Sequence, residues 1–175
     1  MIRIENTMLD ALSDRAKTSA RLRMNLNFHK EPADTLQRLL NAMEPGTYIQ
    51  PHKHESPDKR EIFFALRGRI LVVEFHPDGN ILESIVLDPF KGKYGAEIAP
   101  RTFHSLIALE PGSVVYEFKD GPYDPIDDKN FAHWAPSEND PGVRDYLRQL
   151  VENCLGKDEN PISASDIPES QPYTR

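Results

Sequence analysis

The chain has one cysteine, one tryptophan and only nine glycines in 175 residues. A single thiol, Cys154, cannot close an internal disulfide, so nothing here asks for an oxidising compartment. No apolar run approaches the roughly 18–20 residues of a membrane helix, and MIRIENTMLD carries charges where a signal peptide has its apolar stretch. Basic residues never cluster beyond a pair, and 21 Lys and Arg face 28 Asp and Glu for a formal charge of −7. Phosphate backbones need clustered cations, so nucleic acid is not the expected partner. A Gly-rich phosphate loop and a placeable Ser–His–Asp set are also missing. What remains, 38% hydrophobic and 28% charged, is ordinary globular composition at a length suited to one domain. The expectation is a cytoplasmic protein that touches neither membranes nor nucleic acid.

Most of what is present is strand pattern. Met8, Leu9, Leu12 and Ala16 recur at helical spacing and predict a short helix over 7–20, capped by Asn6 or Thr7. The segment 21–30 then alternates, with Leu22, Met24, Leu26 and Phe28 on one side and Arg23, Asn25, Asn27 and His29 on the other. Strands are expected at 37–43, 46–52, 61–67, 69–76, 81–88, 94–98, 103–109 and 113–119. They are separated by Pro, Gly and Asp turns such as Pro77-Asp78-Gly79. Short strands so spaced predict a sandwich or jelly-roll barrel. Residues 120–140, rich in Pro, Asp and aromatics, read as a loop wrapped over the barrel and anchored by Tyr123, Phe131 and Trp134. A second helix follows at 141–155, with Asp140 as cap and an apolar face of Val143, Tyr146, Leu147, Leu150, Val151 and Cys154. That face, buried on the barrel or on a partner chain, and the open sheet edges predict a homodimer. Gly156 would end this helix, and a polar tail completes the chain. The expected divisions are an N-terminal arm (1–36), a barrel (37–119), the wrapping loop (120–140) and the helix with its tail (141–175).

Three of the six histidines share a pattern. His52 and His54 are two apart, so on a strand their imidazoles address one point. Glu61 opens the next strand, and the loop ESPDKR between them must fold back to bring it alongside. His104 begins a later strand. Three imidazoles and a carboxylate make a site for one divalent ion, Fe, Mn, Ni, Co or Zn. Asp58 and Glu55 are alternative acids, and a site of three histidines alone is the remaining option.

The run Gly46-x5-His52-x-His54-x6-Glu61-x6-Gly68 resembles the first cupin motif, with a wider gap than usual before the Glu. The second motif, around Gly95 and APRTFH, is degenerate but keeps His104. More closely, RLRMNLNFH, QRLLNAMEPGTYIQPHKH, LRGRI, ALEPGSV, GPYDP and DKNFAHWAP resemble, in order, the WbuC-type cupin metalloproteins associated with bacterial O-antigen clusters. The resemblance spans about residues 7–138. It implies a mainly β, double-stranded β-helix (a cupin jelly-roll barrel) with an N-terminal helix, the 141–155 helix being an extension outside it.

Two functions suit such a site. One is an enzyme, an isomerase, epimerase or hydrolase or, with Fe, an oxygenase, acting on a small polar molecule such as a sugar or sugar phosphate. The other is a non-catalytic binding protein. Tyr94 and Glu97 are the candidate acid and base. Arg23, Asn25, Asn27, His29 and Tyr123 are candidate ligand contacts, with Asp124 beside Tyr123 in the loop that could close the pocket.

Overall fold

The computed structural model describes residues 1–123 and 129–155. Asp124, Gly156 and the polar tail, named above, lie outside the described residues. In chain order come α1 (Asn6–Thr18), β1 (Arg23–Asn27), β2 (Leu36–Met43), β3 (His52–Lys53), β4 (Glu61–Arg67), β5 (Ile70–Phe75) and β6 (Ile81–Leu87). A 3-10 turn at Pro89–Lys91 follows, then β7 (Gly95–Ile98), β8 (Phe103–Ala108), β9 (Ser113–Asp120), β10 (Asn130–Phe131) and α2 (Val143–Leu155). Two antiparallel five-stranded sheets form, in the orders β1-β2-β9-β4-β7 and β10-β3-β8-β5-β6.

Alternation along each strand sorts side chains to two faces. The inward faces pack Met43, Ile49, Phe63, Ala65, Ile70, Val72, Leu106 and Val115 into one apolar core between the sheets. On the outer face of the first sheet, Leu9, Leu12 and Ala16 of α1 sit on Leu40, Ala42 and Val114. On the outer face of the second, Leu147, Leu150 and Val151 of α2 sit on Leu71, Val73, Phe75 and Ile107. The apolar stripe of α2 is therefore spent on its own barrel and is not free for a partner chain.

Four local expectations differ from what forms. The N-cap of α1 is Glu5, in extended conformation and with no side-chain cap bond, so neither Asn6 nor Thr7 caps it. Asp140 does receive the Gly142 N–H at 2.7 Å, but α2 starts only at Val143. Residues 46–51 form no strand, because side chains satisfy their backbone: Ser105 Oγ donates to the Ile49 carbonyl (2.7 Å) and Arg23 Nη1 to the Tyr48 carbonyl (2.8 Å). In the wrapping loop Trp134 is an anchor, its ring 5.2 Å from Phe75 and 5.9 Å from Phe103. Phe131 is not, being 52% exposed.

Leu147 is fully buried beneath α2. Leu147→Ala should destabilise the fold by about 2–5 kcal/mol, because the helix cannot fully collapse onto a rigid sheet. Urea denaturation checks this, and a loss under about 0.5 kcal/mol, the range of an ordinary surface change, would mean that α2 is not docked.

Candidate metal centre

The site forms where β3, β8 and β4 meet at one end of the barrel. His52 on β3 pairs directly with His104 on β8. His54 lies two residues beyond His52, and Glu61 is the first residue of β4, facing inward with Phe63 and Ala65. The long loop between His54 and Glu61 closes because the Arg101 N–H donates to the His54 carbonyl (3.0 Å) and Arg101 Nε bonds Asp58 (2.7 Å). Those bonds turn Asp58 outward. Glu55 pairs with Lys53 at 2.8 Å. Of the acids in this stretch, Glu61 is the one that reaches the histidines.

One donor atom from each of His52, His54, Glu61 and His104 lies within 4.8 Å of the others, and all four residues are buried. Imidazole centroids are 4.6 Å apart for His52 and His104, 5.2 Å for His52 and His54, and 5.6 Å for His54 and His104. Glu61 Oε2 lies 2.8 Å from His104 Nε2 and 3.1 Å from His54 Nε2.

The bonds on the far side of the rings decide what this cluster fits. His52 Nδ1 is 3.0 Å from the Gln50 carbonyl and His104 Nδ1 is 3.0 Å from the Thr102 carbonyl. A carbonyl only accepts, so each Nδ1 carries a hydrogen and Nε2 is the nitrogen left facing inward; unprotonated, as in the neutral ring of His52, it turns a lone pair to the centre. Lone pairs then converge with a carboxylate among four buried residues. A cation at the centre relieves that arrangement, and carbonyl-oriented imidazoles are how metal-binding histidines are held. Donors on opposite sides of an ion at about 2.1 Å each stand about 4.2 Å apart, so movements of a few tenths of an ångström complete the set.

The electrostatics agree. Burial, helped by Lys129 and His104, holds the His52 imidazole well below its usual range and therefore neutral, the form that ligates. Burial alone would raise the Glu61 carboxyl, but hydrogen bonds donated by His104 and His54, with their positive charge, outweigh it and hold the group ionised, well below the usual carboxylate range; a bound cation would take the place of those hydrogens.

The other candidates are scattered. Glu97 pairs with Ile62 on the outer face of the first sheet, and Tyr94 lies four residues along the chain from Ile98, the residue opposite Glu61. Neither faces the cluster: alternation along β7 turns Glu97 outward, and Tyr94 precedes the strand, far from Glu61 and 61% exposed. Arg23 is tied to Glu138 (2.6 Å) and to the Tyr48 carbonyl, and the His29 ring accepts the Arg38 N–H at 3.2 Å, so both close the sheet edge. Asn25 and Asn27 share the inward face of β1 with Asn41 and Leu39 opposite them, but at its exposed rim. Tyr123 is 40% exposed, under the Lys119 ammonium at 5.5 Å.

Sequence reasoning missed Glu117. It stands opposite Phe63 on the inward face of β9, with its carboxyl hydrogen-bonded to Glu61. Burial first, then the charge of Glu61, push it well above the usual carboxylate range. The alternation Val115, Glu117, Lys119 carried the signal. Asn41 was also missed: it is 5% exposed, and its inward Oδ1 has no partner among the described residues.

A family model described as a domain of unknown function, DUF6016, matches residues 4–87. No curated protein matches the chain. Among solved structures it is similar to the capsular polysaccharide assembling protein CapF from Staphylococcus aureus, with TM-score 0.51 and 22% identity over 61% of this chain and 28% of that one. CapF with the inhibitor 3-isopropenyl-tropolone gives 0.54 and 21% over 65% and 32%. The chain thus spans about a third of CapF's length. Oxalate oxidase with the substrate analogue glycolate gives 0.50 and 13% over 66% and 57%. These likenesses define the fold: the chain is a cupin-type jelly-roll barrel, and its buried His/Glu cluster sits at one end of it.

In 15N-edited NMR spectra of zinc-loaded protein, His52 and His104 should both show the Nδ1–H tautomer. A hydrogen on Nε2 of either ring would remove the converging lone pairs.

Proposed function

We propose that the chain is a WbuC-type cupin metalloprotein of the cytoplasm, holding one divalent transition ion on His52, His54, Glu61 and His104. We further infer that it is an enzyme acting on a small polar molecule of the sugar or sugar-phosphate class. The observation that carries the reading is the buried convergence of three imidazoles and one ionised carboxylate, two of the rings held by backbone carbonyls. The O-antigen context comes with the sequence resemblance, whereas the likeness to CapF and oxalate oxidase speaks for the fold alone.

When bound, such an ion supplies Lewis acidity to adjacent oxygens of a ligand. The chain's own residues supply recognition. Glu117 and Asn41 put a carboxyl and an unpartnered amide oxygen on the inward faces of neighbouring strands, groups that receive hydroxyl hydrogens. Phe131 pairs with His52 and shows half its surface, its ring centroid 6.0 Å from the imidazole, a flat apolar platform for one face of a sugar ring. Asn25 and Asn27 add amides at the rim.

Elemental analysis of protein purified without chelator should find about one transition ion per chain. His52→Ala should lose it, and Glu61→Gln should weaken metal affinity by more than about 10-fold, at least the effect of a lost outer-shell partner. Metal at a hundredfold excess over its Kd should stabilise the parent by about 2.7 kcal/mol in thermal melts. A metal-free parent whose melting temperature ignores added Fe, Mn, Ni, Co and Zn ends the proposal.

Screening reconstituted protein against sugar phosphates separates enzyme from binder, since turnover marks the first and saturable binding without turnover the second. For a compound so found, Asn41→Leu should keep the metal yet weaken binding on the order of 10-fold, the worth of one buried hydrogen bond.

A further inference from the structure

One part of the barrel's outer surface has no roof. On the first sheet α1 covers β1 and β2 and reaches Val114 of β9. Beyond it, β4 and β9 turn Ile62, Phe64, Leu66 and Phe118 outward, Phe64 being 45% and Leu66 38% exposed. Among the described residues neither α1 nor α2 packs its apolar face on them, and beside β4 lie only the short 3-10 turn at Pro89–Lys91 and the Arg67 bonds to α1, whereas the second sheet lies under α2. The rings run on without interruption: Phe64 to Phe118 at 6.2 Å, Phe118 to Tyr116 at 4.2 Å, and Tyr116 to Phe28 at 5.7 Å. Contiguous apolar surface of this kind, rimmed by charge, marks an interaction site.

The charges at its margin say what fits. Along the outer side of β7 stand Gly95, opposite Phe64, and Glu97, opposite Ile62; Lys93, bridged to Asp88 just before the strand, continues the same alternation. Lys93 and Glu97 are both exposed, and Glu97 also lies within the field of Arg60, itself paired with Asp120. Gly95 leaves its level empty, and the Phe64 ring leans so close that a Cβ there would stand 2.9 Å from Cδ1. The row therefore reads positive, bare, negative, centred on the level of Phe64.

A two-fold axis lying in this face, across the strands at that level, reverses strand direction. It lays Phe64 against Phe64 of the partner subunit and Leu66 against Ile62 of the partner subunit. It sets Lys93 over Glu97 of the partner subunit, and the same contact repeats on the other side. Isologous pairing demands such self-complementarity. Each chain carries −7 overall and repels its copy at a distance, so matched charges at the contact are needed as well as the apolar centre.

We propose that this chain forms a two-fold homodimer through the outer face of β4, β9 and β7, with Lys93 and Glu97 exchanging ion pairs between copies. The dimer is independent of the metal centre, because Glu61, Phe63 and Ala65 of β4 point to the other side.

Sedimentation velocity on the full chain tests this. The parent should sediment at twice its 20.0 kDa mass. Phe64→Glu should give monomers with unchanged metal content and far-ultraviolet circular dichroism. Lys93→Glu and Glu97→Lys should each weaken the dimer by about 10-fold or more, since like charges then meet. The combined K93E/E97K variant should restore it, an outcome that no merely structural role for either residue produces. A parent monomeric throughout the micromolar range, a dimer that survives Phe64→Glu, or a combined variant as weak as the single ones would overturn the proposal.

Discussion

The pairing of His52 with His104 between β3 and β8 is the constraint on which the mouth of the barrel depends. Side chains alternate with a period of two, so a slip of one residue in this short ladder would turn one imidazole out of the barrel. A two-residue strand such as β3 has little ladder of its own to resist that slip. It is held from both flanks, by β10 on one side and by the Arg101 bond to the His54 carbonyl beyond its end. The loop from Glu55 to Arg60, the wrapping segment and β8 thus all serve one register. The same register puts Nδ1 of His52 and of His104 within reach of the carbonyls two residues before each ring. Ring orientation is therefore a property of the local backbone, present before anything binds.

Much of this was legible in the sequence, and the reason is periodicity. Hydrophobic alternation located β4 to its observed ends and the other long strands to within a residue or so, because each has one face in the core. The pair His52 and His54 could be read for the same reason. Glu61 needed the motif spacing, since its loop is folded by contacts far along the chain, such as Asp58 with Arg101. Where side chains replace a ladder, as at residues 46–51, alternation predicts a strand that does not form. Glu97 failed on facing, since the alternation that places Ile98 inside places it outside, and Tyr94 failed on distance, lying before β7 and exposed. Glu117 was available to the same logic. A charged residue between valine and lysine on a strand looks like a solvated face until the partner strand shows which side is in.

Burial divides the interior into two chemistries. Below, Met43, Ile70, Val72 and Leu106 form a dry plug with no polar demands. Above, the inward groups are polar: three imidazoles, Glu61 and Glu117 bonded to each other, the buried Lys119 opposite Glu61, and the Asn41 amide oxygen, which has no partner among the described residues. Buried acceptors without donors are unfavourable by amounts comparable with a lost hydrogen bond each. The plug beneath also keeps out water that could satisfy them from that side. The unpartnered Asn41 oxygen and the close-set imidazoles are what the proposed cation and hydroxylated ligand would satisfy.

β4 carries the argument for both surfaces at once. Its odd-numbered residues, Glu61, Phe63 and Ala65, build the cluster and the core, while Ile62, Phe64 and Leu66 build the bare outer face. An exposed Phe and Leu on a central strand are not needed for strand formation, since polar β-formers such as Thr would hold the ladder equally well. Nor does the neighbouring apolar roof extend to them, because the apolar contacts of α1 end at Val114 and Tyr116 and it meets β4 only through the polar bonds of Arg67. A central strand flanked on both sides fixes these side chains rigidly, so little ordering entropy is left to lose when they are covered. Rigid apolar groups, a bare glycine beside them and opposite charges evenly spaced about it together favour a copy of the same surface over a flexible ligand.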